Sequence, residues 1–200
     1  MKICMFGTGS LGAHTVLNLA RRFESSIEFV LVDYDRIENV NIANQPWYDV
    51  NVGQLKVSVL SAYIYRVCKT KSITHPSKLE TATAFIQKEN KNIRNVDLFI
   101  DCFDNLPSRK VTQEIAVLLK KPILHSGFAD TVMLCKWGEQ FPLKNKSAAI
   151  TPICNRRDLG PLVTLGAGIT ALVVGSYITD KVQNWALLDV NKGIASLVMG

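Results

Sequence analysis

Apolar residues fall into short continuous runs separated by longer stretches with helical spacing. Residues 2–6 are an apolar run that stops at Gly7, the pattern of a strand buried on both faces in a parallel sheet. Residues 10–23 carry Leu11, Val16, Leu17, Leu19 and Ala20 at helical spacing. Residues 27–33 make a second strand that ends in an acid, Asp33. Strand, glycine turn, helix and strand form one βαβ unit. The polar stretch from Tyr34 to Asn51 has four asparagines, a Pro-Trp pair and no period. It reads as an ordered loop, and loops of that length in compact domains are usually functional.

The pattern then predicts a helix over 52–68, a short strand at 72–75, a helix over 79–90 and a strand over 96–101. A helix over 107–120, strands at 122–125 and 131–137 and a second long loop over 138–161 follow. A helix over 162–181 and a closing hairpin of 185–189 with 194–198 complete the chain. Alternation of strands and helices indicates an α/β fold, Rossmann-like and doubly wound, with a mainly parallel sheet and an antiparallel C-terminal extension. No linker divides it, so residues 1–200 are expected to be a single domain.

Composition narrows the class. At 48% hydrophobic and 20% charged residues the chain is an ordinary globular one, with no repeat or low-complexity tract. Its net charge of +6 suits anionic partners, but the basic residues are scattered rather than gathered into a nucleic-acid stripe. Residues 159–178 are largely apolar, yet four glycines (Gly160, Gly166, Gly168, Gly175), Pro161 and three hydroxyl residues point to a buried helix rather than a membrane span. The five cysteines include no CxxC pair, a poor disulfide framework and a poor zinc site. With a strand-like opening and no visible signal peptide, a reducing, cytoplasmic setting and no membrane partner are expected.

The turn Gly7-Thr8-Gly9-Ser10-Leu11-Gly12 is a G-x-G-x-x-G between a strand and a helix, with Asp33 following 26 residues after Gly7. Gly7 would allow the tight turn, Gly9 the approach of phosphate and Gly12 close packing of helix on strand, while Asp33 would accept ribose hydroxyls. A turn that only packs a corner has the same glycines. The turn itself leaves NAD, FAD and ATP all open.

The segment Asp33-Tyr-Asp35-Arg-Ile37-Glu38-Asn39-Val40-Asn41-Ile42-Ala43-Asn44-Gln45 resembles the D-x-D-x-[VI]-E-x-S-N-L-x-R-Q signature of the ThiF/MoeB/E1 superfamily. Val52-Gly53-Gln54-Leu55-Lys56 is similar to its V-G-x-x-K, and Asp101-Cys102-Phe103-Asp104-Asn105 with Arg109 to its D-x-x-D-N-x-x-x-R. The resemblance covers roughly residues 1–130 well and the rest loosely. It implies ATP-dependent adenylation of the C-terminal carboxylate of a ubiquitin-like or sulfur-carrier β-grasp protein, in some relatives followed by transfer to a thiol. By matching position, Lys56 would contact phosphate, Asp104 would hold Mg²⁺ and Asp33 the ribose. Asp35, Asn41, Gln45 and Asn105 would fix nucleotide and loop, and Arg109 would steady the site or its acidic neighbour. Taken singly, Lys56 also fits a solvated helix residue, Asp104-Asn105 a helix cap and Asp35 a turn. The resemblance further implies a homodimer, and because the family has a tRNA-modifying relative, tRNA stays open as a partner.

Three departures matter. Asn44 stands where the family has arginine, the strand-like opening leads to the expectation of no N-terminal arm with an arginine, and the zinc-binding CxxC pairs are missing, so no structural zinc is expected. Fewer cations at the phosphates keep open a degenerate, nucleotide-binding partner without turnover. The glycine turn keeps an NAD-dependent oxidoreductase as a further alternative. Cys154, beside Arg156 and Arg157, is the candidate for a reactive thiol, against the plainer reading of a partly buried structural one. The other four cysteines lie in apolar runs and read as core. His14, His75 and His125 show no metal-ligand spacing and read as packing or surface residues; the strand-end position of His125 near the glycine turn leaves its role open.

Overall fold

The computed structural model describes residues 1–129, 132–138, 159–189 and 194–198. Five strands, β1 (Lys2–Phe6), β2 (Glu28–Val32), β3 (Lys71–His75), β4 (Leu98–Asp101) and β5 (Ile123–Ala129), pair in parallel in the order β3-β2-β1-β4-β5. Three more, β6 (Val132–Trp137), β7 (Trp185–Asp189) and β8 (Ile194–Val198), continue the same sheet antiparallel. This is the expected α/β architecture with its antiparallel extension.

Alternate residues of the central strands serve two cores. Ile3, Met5, Phe29, Leu31, Leu98 and Ile100 face α1 (Ser10–Phe23), α2 (Lys56–Cys68) and a later helix, whereas Cys4, Phe6, Val30, Val32 and Phe99 face the opposite side. That opposite side is covered by α3 (Ala82–Lys88), the short α4 (Asn90–Arg94) and α5 (Leu106–Leu119). Burial on both faces is why these strands read as unbroken apolar runs. The sixth helix, α6 (Gly160–Asp180), packs along α1 and adds Leu162, Ala171, Val173 and Val174 to the first core. It is long and apolar enough to cross a membrane, but half of its most apolar stretch is buried in this fold, where Phe128 and Arg22 press against it at Gly166 and Gly175.

Three elements depart from the pattern. The expected helix over 52–68 begins only at Lys56, because residues 49–54 form a turn with Gly53 at φ +84°. The expected helix over 79–90 is two: α3 starts where the Thr81 hydroxyl accepts the Ala84 N–H at 3.2 Å, and the chain breaks step at Glu89 before α4. β5 runs on to Ala129 through the polar residues His125 and Ser126, both fully buried. The expected long loop over 138–161 lies mostly outside the described residues.

After β3 the chain crosses to the other side of β1, so the sheet order reverses between β1 and β4. In open α/β sheets that reversal opens a crevice at the carboxyl ends of the strands, where ligands bind.

Candidate functional site

The glycine turn closes one wall of this crevice. Gly7 takes φ +84°, a conformation other residues rarely adopt, and a Cβ on Gly12 would lie 1.9 Å from the Gly7 carbonyl oxygen. Helix α1 therefore starts hard against β1. Its N-cap, Gly9, offers no side chain to the first N–H groups, its first turn holds no acid, and nothing lies within 4 Å of where a Gly9 Cβ would be. An uncapped helix N-terminus with open space in front of it suits an anion. The Ser10 hydroxyl, buried in that first turn, has no hydrogen-bond partner among the described residues.

Asp33 ties the turn to the end of β2. Its Oδ2 accepts the Thr8 N–H at 2.7 Å and the Thr8 hydroxyl at 3.0 Å, and its Oδ1 accepts the Asp35 N–H at 2.9 Å. Burial pushes its carboxyl above the usual range, opposed by the Lys56 ammonium and by the N–H groups of Asp35 and Thr8. With three of about four lone-pair sites engaged, one remains for a further donor such as a ribose hydroxyl.

The loop after β2 folds back on itself. The Ile37 N–H donates to the Gln54 carbonyl at 2.9 Å and the Gly53 N–H to the Ile37 carbonyl at 2.8 Å, Arg36 donates to the Gly53 carbonyl at 2.7 Å, and the Lys56 N–H reaches the Asp35 carbonyl at 3.0 Å. This clasp brings Lys56, at the first residue of α2, to Asp35, with Nζ 2.8 Å from Oδ2. The lysine side chain is 7% exposed and the aspartate 45%. A cation at a helix N-terminus opposes the helix dipole, so the Lys56 charge, as distinct from its buried stem, adds little to the local fold beyond the pair it makes. Asn41 is buried and its Oδ1 accepts the Glu38 N–H at 2.9 Å. The Gln45 Oε1 accepts the Trp47 indole N–H at 2.7 Å, while its buried Nε2 finds no acceptor among the described residues. Asn44, in the arginine position, is buried, and a Cβ on Gly160 of α6 would lie 3.1 Å from its Oδ1. An arginine there would run into the start of α6.

The opposite wall is the turn from β4 to α5, joined to β1 where the Cys102 N–H meets the Phe6 carbonyl at 2.8 Å. Asp104 and Asn105 are exposed at its tip. The Asn105 Oδ1 accepts the Ser108 N–H at 2.9 Å and so caps α5, with Pro107 in the first turn; only a long 3.5 Å contact joins Asn105 to Asp104. Arg109 is turned inward and is 3% exposed, with Nη1 3.3 Å from Asp101 and Nη2 2.8 Å from the Ser126 carbonyl. It steadies an acidic neighbour, Asp101, rather than facing the crevice.

A nucleotide fits these residues: open space at Gly9, bare helix N–H groups, an unpartnered buried hydroxyl and a lysine held beside Asp33. Magnesium fits Asp104 only in company. No group of three or more His, Cys, Asp or Glu among the described residues could cage a metal, but Mg²⁺ is commonly held by one carboxylate together with phosphate oxygens and water. A depression of about 480 Å³ is lined by Asn39, Ile42, Ala43 and Asp49 and shares no residue with the glycine turn. The chemistry above, not that volume, marks the site.

Burial raises the Cys4, Cys102 and Cys135 thiols, the last to about 12, so these three stay protonated near neutrality. Cys68 and Cys102 are only partly buried rather than fully core. Cys154, Arg156 and Arg157 lie outside the described residues.

The sequence pattern gave no hint of one buried pair, His75 Nδ1 with Glu89 Oε2 at 2.7 Å. Burial holds the His75 imidazole below its ordinary 6.5, against the pull of Glu89, and burial lowers His14 as well. Histidines lowered in the fold bind protons more readily once unfolded, so stability is present above 6.5 and lost as pH falls below it. Urea midpoints are expected to drop between pH 7 and pH 5.5, and less steeply in His75→Gln. Parallel slopes for the two proteins would remove His75 from that balance.

The family model described as "ThiF family" matches residues 1–182. An adenylyltransferase and sulfurtransferase uba4 of Aspergillus niger is 32% identical over 125 residues, 62% of this chain and 24% of its own length. The adenylyltransferase and sulfurtransferase MOCS3 of Aedes aegypti is 27% identical over 124 residues, 61% of this chain and 27% of its own length. The match thus spans about a quarter of these curated relatives. Among solved structures, E. coli MccB with AMPCPP and MccA superposes with a TM-score of 0.76 at 16% identity, covering all of this chain and 63% of that one. PaaA gives 0.73 at 17% identity, covering 99% and 63%. At such identities the likeness shows the fold.

Proposed function

Since the chain belongs to the ThiF family, we propose that it is an E1-like adenylyltransferase that joins AMP from ATP to the C-terminal carboxylate of a small protein, ubiquitin-like or sulfur-carrier in kind. The observation that carries this reading is the convergence of Asp33 and the Asp35–Lys56 pair on an uncapped glycine turn, at a crevice whose other wall presents Asp104.

In the reaction a carboxylate oxygen attacks the α-phosphorus, the bond to the bridging oxygen breaks, and pyrophosphate leaves. Both reactants are anionic, so charge compensation does most of the work. The α1 N-terminus and Ser10 receive phosphate oxygens. Lys56 exchanges one anion, Asp35, for another, phosphate, and the half-exposed Asp35 is then solvated, so no buried charge is stranded. Asp33 takes a ribose hydroxyl on its remaining lone pair. Asp104 holds Mg²⁺, which supplies positive charge at the phosphates. Tyr34, Val40, Tyr48 and Val50, exposed on the same loop as Asp35, offer an apolar surface to the incoming carboxylate donor.

The first test separates nucleotide classes. MgATP is expected to protect the chain against thermal unfolding, by about 2.7 kcal/mol at a hundredfold excess over its Kd, while NADH leaves the melt unchanged. Protection by NADH and not by ATP would return the chain to the oxidoreductases. ATP–pyrophosphate exchange with a β-grasp protein ending in Gly-Gly then tests the carboxylate substrate.

One observation favours a second reading. Asn44 is buried beneath α6 where relatives of the resembling signature carry a cation, which supports a partner that binds nucleotide without turning it over. Sustained exchange by the purified chain with its substrate removes that reading.

A further inference from the structure

Beneath the Asp104 turn lies a row of buried polar groups that the proposed reaction does not use. Asp101, at the end of β4, is fully buried and has both oxygens engaged. Its Oδ1 accepts the Phe103 N–H at 3.1 Å, which fixes the turn that leads to Asp104. Its Oδ2 faces Arg109 Nη1 at 3.3 Å and His125 Nδ1 at 2.7 Å. The His125 ring is itself held from behind, with Nε2 2.7 Å from Oε1 of the Gln113 side chain of α5, where the amide turned end for end presents its N–H to that nitrogen. We propose that His125 is a positioning residue: by donating from Nδ1 to Asp101 and being braced by Gln113, it fixes the carboxylate that pins the Phe103 N–H and thereby sets where Asp104 stands.

Of the two side chains on Oδ2, the shorter contact belongs to His125, and a charge-assisted bond of 2.7 Å is the stronger constraint. Without it the carboxylate keeps Arg109 alone and can swing toward the guanidinium, away from the Phe103 N–H. The aspartate and arginine compensate each other's charge, so the histidine is not needed to neutralise the site; what it adds is direction. Outer partners of this kind orient a metal ligand one step removed. The consequence for metal rests on the reading of Asp104 as the Mg²⁺ ligand, whereas the pinning of Phe103 does not.

The test compares His125→Leu, His125→Asn and Gln113→Met with the wild type. Asparagine places a side-chain N–H near the former Nδ1, so it restores the donor without the ring. Amide hydrogen exchange is measured first in protein free of nucleotide and metal. The Phe103 amide is expected to exchange about tenfold faster or more in His125→Leu, as for loss of a charge-assisted hydrogen bond. The Ile37 amide, bonded to the Gln54 carbonyl at 2.9 Å in the clasp after β2, serves as the internal reference and is expected to change much less. His125→Asn is expected to return Phe103 toward wild type, with Gln113→Met between the two. The Mg²⁺ concentration that half-saturates ATP binding is expected to rise about tenfold in His125→Leu and to recover in His125→Asn. Equal acceleration of Phe103 and Ile37, or an asparagine variant no better than the leucine one, overturns the proposal. Should His125→Leu fail to fold, the same comparison between His125→Asn, Gln113→Met and wild type decides it. If the wild type binds ATP without any dependence on Mg²⁺, the reading of Asp104 fails, and the Phe103 exchange rates still decide the role of His125.

Discussion

Lys56→Met, which keeps the buried stem and removes the charge, is expected to slow ATP–pyrophosphate exchange by about a hundredfold or more while leaving the fold nearly as stable as before. The two halves of this expectation have separate causes. The ammonium is the one cation that the described site holds beside Asp33, and removing a preorganised charge from a site of anionic chemistry is costly. The charge contributes little to the fold: its partner Asp35 is 45% exposed and readily hydrated, and a lysine at the first residue of α2 works against the helix dipole. Urea melts within about 1 kcal/mol of wild type, measured beside the exchange rate, would mark Lys56 as kept for chemistry. Asp104→Ala is expected to behave in the same way, since its carboxylate is exposed and makes only the 3.5 Å contact to Asn105. Full activity in both variants would mean that the charges have been assigned to the wrong step.

Asp101→Ala has the opposite signature. Asp101 is fully buried and answers Arg109, His125 and the Phe103 N–H at once, so its removal takes a carboxylate away from a buried guanidinium. Breaking a buried pair from one side costs about 3–5 kcal/mol, a large part of the 5–15 kcal/mol that holds a typical domain. The chain is expected to unfold at much lower urea, with activity lost as a consequence. A change below about 1 kcal/mol would show that water or movement of α5 compensates the site.

These two residues also mark where the sequence is informative and where it is not. β1, α1 and β2 follow from their pattern because strands covered on both sides must be apolar throughout, and the glycine turn between them has one sterically allowed composition at Gly7 and Gly12. The closing hairpin, β7 with β8, was legible from its two short apolar runs. The continuation of β5 through His125 and Ser126 was not. Polar residues inside a sheet are stable only with partners, and those partners, Asp101 and Thr170, lie 24 and 44 positions away. Glu89, the break between α3 and α4, meets His75 across the fold, a pairing with no local signature.

The candidate site divides likewise. The motifs drew attention to Asp33, Asp35, Lys56, Asp104 and Arg109, but not to how they are arranged. That Lys56 pairs with Asp35 follows from the clasp of residues 36–55, a tertiary feature. That Arg109 faces inward follows from the buried charge of Asp101, and that Asn105 caps α5 follows from the bare helix start it serves. Thr8, an unspecified position of the glycine motif, turns out to secure Asp33 twice.

A crystal structure of the chain with a non-hydrolysable ATP analogue and Mg²⁺ locates the nucleotide directly. The expected density has phosphates over Gly9 and Ser10, a ribose at Asp33, Lys56 turned from Asp35 toward phosphate, and the ion at Asp104. Analogue bound instead in the depression beside Asn39, Ile42, Ala43 and Asp49, or a glycine turn left bare at saturating nucleotide, would contradict it.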